Sequence, residues 1–374
     1  MLRHRAAAFA VVALVAACSG PAQTAEGGAA AGGGDSTLPD PDATAAPADP
    51  DATAGPPAEP TATPTPTPAA TPDVDPADVG ANELGEIPVL MYHRLLPDGG
   101  GEYDRSPEGF RAELEYLCAE GYRPIRTVDL VRGEIDVPAG TTPVVLTFDD
   151  STREQLAFTA DGDVDPDTAI GILRDVAAGC DGFEARASLY VNAYPFGGGQ
   201  DSDELVTWLH DHGFELGNHT AGHVNLRNLP ASEVQRELAA GVEVITDVVV
   251  DAEVVTLSLP FGIWPEDRGL AASGAHEGRT YDHEGILLVG AGPASSPFHA
   301  EFEPLAIPRI RSGAWDGGEP DFSSGFWFDV FERNPHRLYV SDGNPATISF
   351  PEELADELAP GFEERANPYA AESR

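Results

Sequence analysis

Between Gly85 and about Leu358, short apolar runs alternate with segments patterned for helices, and this alternation limits the folds open to the chain. Residues 87–92, 144–148, 187–191, 214–216, 254–257 and 285–289 read as strands. Among the intervening segments, Ser106 is placed to cap a helix reaching Cys118. Asp165-Pro166-Asp167 is placed to open another, with Ala169, Ile170, Leu173 and Val176 as its apolar positions. Residues 203–212 read as a third helix, and Pro230-Ala231-Ser232 starts a fourth that continues through Glu243. Alternation of this kind builds a parallel sheet, open or closed into a barrel. Roughly 270 residues suit about seven or eight such units.

The chain ahead of this region is of a different kind. Residues 22–79 are mostly Ala, Pro, Thr, Gly and Asp without an apolar period. Such a segment cannot bury enough surface to offset its ordering entropy, and its prolines keep it extended, so it reads as a stalk. Arg3 and Arg5 followed by the apolar run 6–17 read as an export signal, too short for a membrane span of roughly 20 residues. The run closes on Val15-Ala16-Ala17-Cys18, which resembles a bacterial lipobox with Cys18 as the lipidated residue. The expected layout is a lipoprotein signal peptide over 1–17, a disordered linker over 18–84, a folded domain over 85–358 and a disordered tail over 359–374. The expected location is extracellular, lipid-anchored to the outer face of the cell membrane. Export makes a disulfide between Cys118 and Cys180 possible; two free buried thiols are the equal alternative.

With 63 acidic and 21 basic residues, all of the latter Arg, the formal net charge is −42. A field of that sign repels phosphate backbones and argues against nucleic acid, but not against neutral or cationic glycans. Nothing heptad-like or grossly apolar calls for a second subunit, so a monomer is expected.

Chemistry gathers in three segments, each at the C-terminal end of an expected strand, the face on which α/β barrels build their sites. The first is Thr147-Phe148-Asp149-Asp150, where adjacent carboxylates follow the most apolar strand. The second is Asn218-His219-Thr220-Ala221-Gly222-His223, whose two imidazoles can converge on one ion if the backbone turns helically between them. The third is Leu259-Pro260-Phe261-Gly262, a tight turn able to aim a backbone N–H into a site. One Asp with two His makes a three-ligand metal site with an open position for water, and leaves the other Asp to act as a base.

These segments resemble, in order and spacing from Ile87 to Pro351, the NodB-homology polysaccharide deacetylases, carbohydrate esterase family four. Thr147 to Asp150 matches the family's T-F-D-D motif, and His219, Thr220, His223 and Leu226 match its H-[ST]-x-x-H-x-x-L motif. Pro88-Val89-Leu90-Met91-Tyr92-His93 is similar to the branch containing poly-N-acetylglucosamine deacetylases. The resemblance implies a distorted (β/α) barrel and a polysaccharide substrate. It implies Asp149 as general base, Asp150, His219 and His223 as ligands to zinc or another divalent transition metal, and the Phe261 amide as an oxyanion donor. Where the family's third motif carries Arg, this chain has Ser258, as the poly-N-acetylglucosamine branch also departs there. Arg309 or Arg311 could substitute. The late motif that supplies the general acid has no counterpart, leaving His299 and His93 as candidates and His336 as a weaker one. Trp264 and Trp315 could stack on a sugar. The implied activity is hydrolysis of N-acetyl groups; a silent glycan-binding lipoprotein and an O-acetyl esterase are the alternatives.

Overall fold

The computed structural model describes residues 74–313 and 323–370; Cys18, Trp315 and residues 18–73 of the expected linker lie outside them. Eight strands form the main sheet: β1 (Val89–Tyr92), β2 (Tyr122–Ile125), β3 (Thr142–Phe148), β4 (Ser188–Val191), β5 (Glu215–Asn218), β6 (Thr256–Ser258), β7 (Gly285–Ala291) and β8 (Ile307–Arg311). All pairings are parallel, in the order β1-β8-β7-β6-β5-β4-β3. A second edge of β3 returns to β1, with Val89 opposite Val145 and Tyr92 opposite Phe148. Seven strands therefore close a ring, and β2 lies beside the first half of β3. The expected distorted (β/α) barrel is the fold.

Covered on both faces, parallel strands carry continuous apolar runs rather than alternation. Every residue of β1, β3 and β4 is accordingly buried. The outer helices dock by one face. In α1 (Pro107–Ala119) the buried Phe110, Leu114 and Leu117 follow the helical period, and Ser106 Oγ caps the helix by accepting from Gly109 N at 3.0 Å. In α2 (Ala169–Ala178) the cap is Thr168, which accepts from Gly171 N at 3.2 Å. That helix was expected to open at Asp165; residues 165–168 instead form a turn in which Asp165 accepts from Asp167 N and from the Thr168 hydroxyl. Cys118 and Cys180 are joined as a disulfide that ties α1 to the end of α2.

Two ring-side strands escape sequence patterning because each contains Pro and Arg. In β2 the proline is tolerated because the strand is peripheral. In β8, Pro308 falls where the register with β7 shifts, between the Leu287–Ile307 and Ala291–Arg309 pairs.

Both expected boundaries of the domain need correction. Ala81 and Leu84 are buried, and Asn82 bridges to Val340, so packed structure begins ahead of residue 85. Residues 359–370 are not a structureless tail: Ala366–Tyr369 pairs in parallel with Ile348–Pro351, and Tyr369 Oη donates to Ala81 O at 2.9 Å. Apolar side chains such as Phe350 and Ile348 pull these segments against the barrel's N-terminal end, a long-range contact that local composition does not encode.

Candidate active site

The C-terminal end of β3 delivers Asp149 and Asp150, and the loop after β5 delivers His219 and His223. Asp150 Oδ1 lies 3.3 Å from Nε2 of His219 and 3.3 Å from Nε2 of His223. A tetrahedral ion with bonds of about 2.0–2.1 Å sets its ligand atoms about 3.3 Å apart, so this triad has the spacing of a zinc-type site. The ring of His219 is oriented by its Nδ1, which donates to Ser258 O at 2.8 Å and so fixes the tautomer with Nε2 unprotonated. That Nε2 is buried without a hydrogen-bond partner among the described residues, the state of an atom waiting for a cation. Burial opposes charge on His219, yet Asp149 and Asp150 outweigh it and raise the group; the same carboxylates favour a metal ion there. Burial and then His219 push His223 down, toward the neutral imidazole a metal requires. Asp150 and His223 keep about 30% exposure of their side chains, leaving one side open to a ligand.

No helical turn joins the two histidines. Thr220 and His223 take positive φ, and the loop is held from outside: Asn218 Oδ1 accepts from Thr220 N at 2.8 Å, and Glu237 accepts from Ala221 N and Gly222 N. Of the seven non-glycine residues with positive φ among the described residues, Asp150, Ser151, Thr220, His223 and Phe261 all stand on site loops. Backbone strain so concentrated marks a functional site.

Asp149, adjacent to Asp150 in the chain, is buried. Arg309, fully buried on β8, sends Nη1 to Asp149 Oδ1 at 2.8 Å and Nη2 to Oδ2 at 2.7 Å. Arg309 also donates to Leu288 O, Thr147 Oγ1 and Ser258 Oγ, and Ser258 Oγ donates to Asp149 Oδ2 at 3.0 Å. Burial alone would raise the Asp149 carboxyl; Arg309 first, then His219, hold it well below the usual carboxylate range. His93, at the end of β1, brings Nε2 to 3.9 Å from Asp149 Oδ2, and its buried Nδ1 has no hydrogen-bond partner among the described residues. Desolvation lowers its basicity.

Phe261 takes a φ of 60° in the turn after β6, its ring 4.6 Å from that of His223. Arg311 is turned away from the carboxylates, paired with Glu102 and lying over Tyr103. The expectation for His299 is overturned: it pairs with Glu357 at 3.2 Å and bridges to Leu358, next to Ser296 and Phe298, which pack against the strand N-termini at the opposite end of the barrel. His336 lies at that same end, its carbonyl accepting from Asn82. Trp264 packs against the core beneath Arg268. Two contributors escaped sequence reasoning. Ser258 reads as a loss but bonds both Asp149 and His219, and Gln155, whose amide spans the carbonyls of His93 and Asp149, carries no motif at all. A cavity of about 360 Å³ lined by Arg126, Glu184, Arg186 and His212 holds none of these groups.

Residues 136–276 match the family model described as polysaccharide deacetylase. No curated protein sequence matches the chain. Among solved structures, the chain is similar to BA0330 from Bacillus anthracis, with a TM-score of 0.46 and 20% identity over 60% of this chain and 64% of that one. It is also similar to the Streptococcus pyogenes deacetylase PplD in complex with acetate (TM-score 0.47, 19% identity, 61% of this chain and 92% of that one). A third is IcaB from Ammonifex degensii (TM-score 0.43, 18% identity, 61% and 92%). The chain thus spans just under two thirds of the Bacillus anthracis protein's length.

Proposed function

We propose, on the match of residues 136–276 to the polysaccharide deacetylase family, that the chain is a metal-dependent hydrolase removing N-acetyl groups from a polysaccharide outside the cell. The observation that carries this reading is the triad of Asp150, His219 and His223 at tetrahedral ligand spacing, directly beside a carboxylate that is buried and paired.

Asp150 Oδ1, His219 Nε2 and His223 Nε2 would hold zinc or another divalent transition metal. Such an ion supplies Lewis-acid polarisation of the acetyl carbonyl and lowers the pKa of water. Asp149 takes the proton from the attacking water. Arg309 and Ser258 keep that carboxylate ionised and aimed. The Phe261 N–H donates to the oxyanion as the carbonyl becomes tetrahedral. His93 Nε2, 3.9 Å from Asp149 Oδ2, gives the proton that lets the amine leave. Asp149 then carries the proton taken from water, and His93 lacks the one given to the amine. Passage of the proton from Asp149 to His93 resets both, and water plus amide become a free amine and acetic acid, which ionises to acetate in solution.

Location enters the same reading. A bonded Cys118–Cys180 pair suits an oxidising compartment, and the lipobox-like segment ending at Cys18 offers a tether.

The test is acetate release by the purified full chain from N-acetylated and O-acetylated oligosaccharides, with metal content measured alongside. We expect about one divalent ion per chain, lost in His219→Ala, and turnover of the amide. Turnover of the ester alone would replace the amide assignment. A metal-free, inactive wild type after zinc addition would leave a silent glycan-binding protein.

A further inference from the structure

Four aromatic residues are notably exposed among the described residues, Tyr103, Tyr194, Phe261 and Phe326, and the first three stand on loops at the C-terminal rim of the barrel. The ring of Tyr103 lies 5.0 Å from that of His93, and Phe261 lies 4.6 Å from His223. Tyr194 is the most exposed aromatic, at 76%. Its loop is nevertheless fixed to both halves of the site. Tyr194 N donates to Asn192 Oδ1 at 3.2 Å, Asn192 Nδ2 donates to Asp150 O at 3.1 Å, and Ala193 N donates to Ala221 O at 2.9 Å.

His93 stands beside Asp149, and His223 beside Asp150. Tyr103 is therefore on the His93 side of the site, while Phe261 and the loop of Tyr194 are on the side of Asp150 and His223. Tyr103 is steadied by Arg311, 5.9 Å from its ring. A large ring left in water on an immobilised backbone forgoes the burial that aromatic residues normally gain, unless another state of the protein covers it.

Resting on the deacetylase reading, we infer that Tyr194 and Tyr103 are stacking platforms for the sugar rings on either side of the unit being deacetylated. The apolar C–H face of a pyranose covers an aromatic ring much as another ring would. With a platform at each end, the site is an open groove that takes internal units of a chain of several sugars in preference to a terminal or single one.

The zinc-loaded full chain can be titrated calorimetrically with N-acetylglucosamine hexamer and dimer, wild type beside Tyr194→Ala and Tyr194→Trp, with acetate release measured on both ligands. The hexamer Kd should rise about tenfold in Tyr194→Ala, and the preference for hexamer over dimer in kcat/KM should fall by a similar factor. Tyr194→Trp should restore both. Unchanged hexamer affinity and preference in Tyr194→Ala overturns the inference even if the wild type is an active deacetylase. Tyr194-dependent hexamer binding without acetate release leaves the platform standing and removes the enzymatic reading. Failure of the wild type to bind hexamer overturns both.

Discussion

The guanidinium of Arg309 forks the two oxygens of Asp149 at 2.8 and 2.7 Å, reaching from β8 into the space that Ser258 leaves open at the end of β6. A charge that could have come from position 258, two residues before the Pro-Phe-Gly turn, comes instead from a strand two places further along the ring, and the serine closes the gap with its hydroxyl. Because both partners are buried, removing one leaves the other uncompensated, which is costly by about 3–5 kcal/mol. Arg309→Gln should lower stability by that order and kcat/KM by about a hundredfold or more. Arg309 is also what holds the Asp149 carboxyl down. Its loss must therefore raise that group, moving the acid limb of the pH–rate profile upward. A variant that loses activity equally at all pH values, with the limb unmoved, would reduce Arg309 to a packing role. Arg309→Lys keeps the charge but not the fork and should fall between.

His93 and His299 were rivals for the proton donor, and their placement predicts how each variant behaves. An amine leaves only if protonated, whereas p-nitrophenolate leaves without help. His93→Asn should therefore cost about a hundredfold in kcat on an N-acetylated sugar and much less on p-nitrophenyl acetate. His299→Ala, whose ring pairs with Glu357, should change neither ratio. Equal losses on both substrates in His93→Asn would remove it from the proton path.

The residues of the site that could be read from the sequence are those whose chemistry is local. Asp149-Asp150 and the turn at Phe261 each follow a strand dense in Val, Leu or Thr, and His219-x-x-x-His223 follows the short run Phe214-Glu215-Leu216, so the strand ends could be located and the side chains placed on one rim. What was not legible is long-range. The sequence offers Arg309 and Arg311 as alternatives, but nothing in Ile307-Pro308-Arg309 signals a strand, and the choice falls to Arg309 only once β8 is known to neighbour β1. Glu83 and Tyr369 lie in segments of unremarkable composition, and their bonds, from Tyr339 Oη to Glu83 and from Tyr369 Oη to Ala81 O, form only because the barrel's N-terminal end needs covering. The expected helical turn between His219 and His223 failed for a related reason: Glu237, on the helix Ala231–Thr246, supplies the acceptors that a helix would have supplied itself.

Asn218 holds the ligand loop, and His283 holds Asn218. Burial pushes His283 down to about 4, so it is neutral at ordinary pH. Its Nδ1 donates to Ala271 O at 2.7 Å, and its Nε2 accepts from Asn218 Nδ2 at 3.2 Å. Asn218 Oδ1 then accepts from Thr220 N, fixing the strained residue after His219. His283→Leu strands an amide hydrogen and should weaken zinc affinity about tenfold, as outer-shell losses do. His283→Gln offers one acceptor and one donor and should recover most of it. Melting of the apo protein distinguishes the roles: a drop in apo stability with zinc affinity unchanged in both variants would leave His283 a core residue only.

Glu83 gives the fold a pH dependence separate from catalysis. It is buried, accepts from Tyr339 Oη at 3.0 Å and Ser349 N at 2.8 Å, and so fastens the start of the domain to its C-terminal segments. Burial, with Asp342 next in effect, raises its pKa from 4.5 to about 7. A carboxyl raised on folding favours the protonated native state: its contribution is fully present below the unfolded value and is lost as pH climbs through the folded one. Stability should therefore decline between about pH 4.5 and pH 7, by roughly 3 kcal/mol at most from this group. In Glu83→Gln the titration is absent, so the difference in stability between wild type and variant should itself change across that window. Chemical denaturation at pH 5, 6, 7 and 8 measures it. A difference that stays constant with pH would mean that Glu83 keeps an ordinary pKa in the folded protein, with the bonds from Tyr339 and Ser349 offsetting its burial.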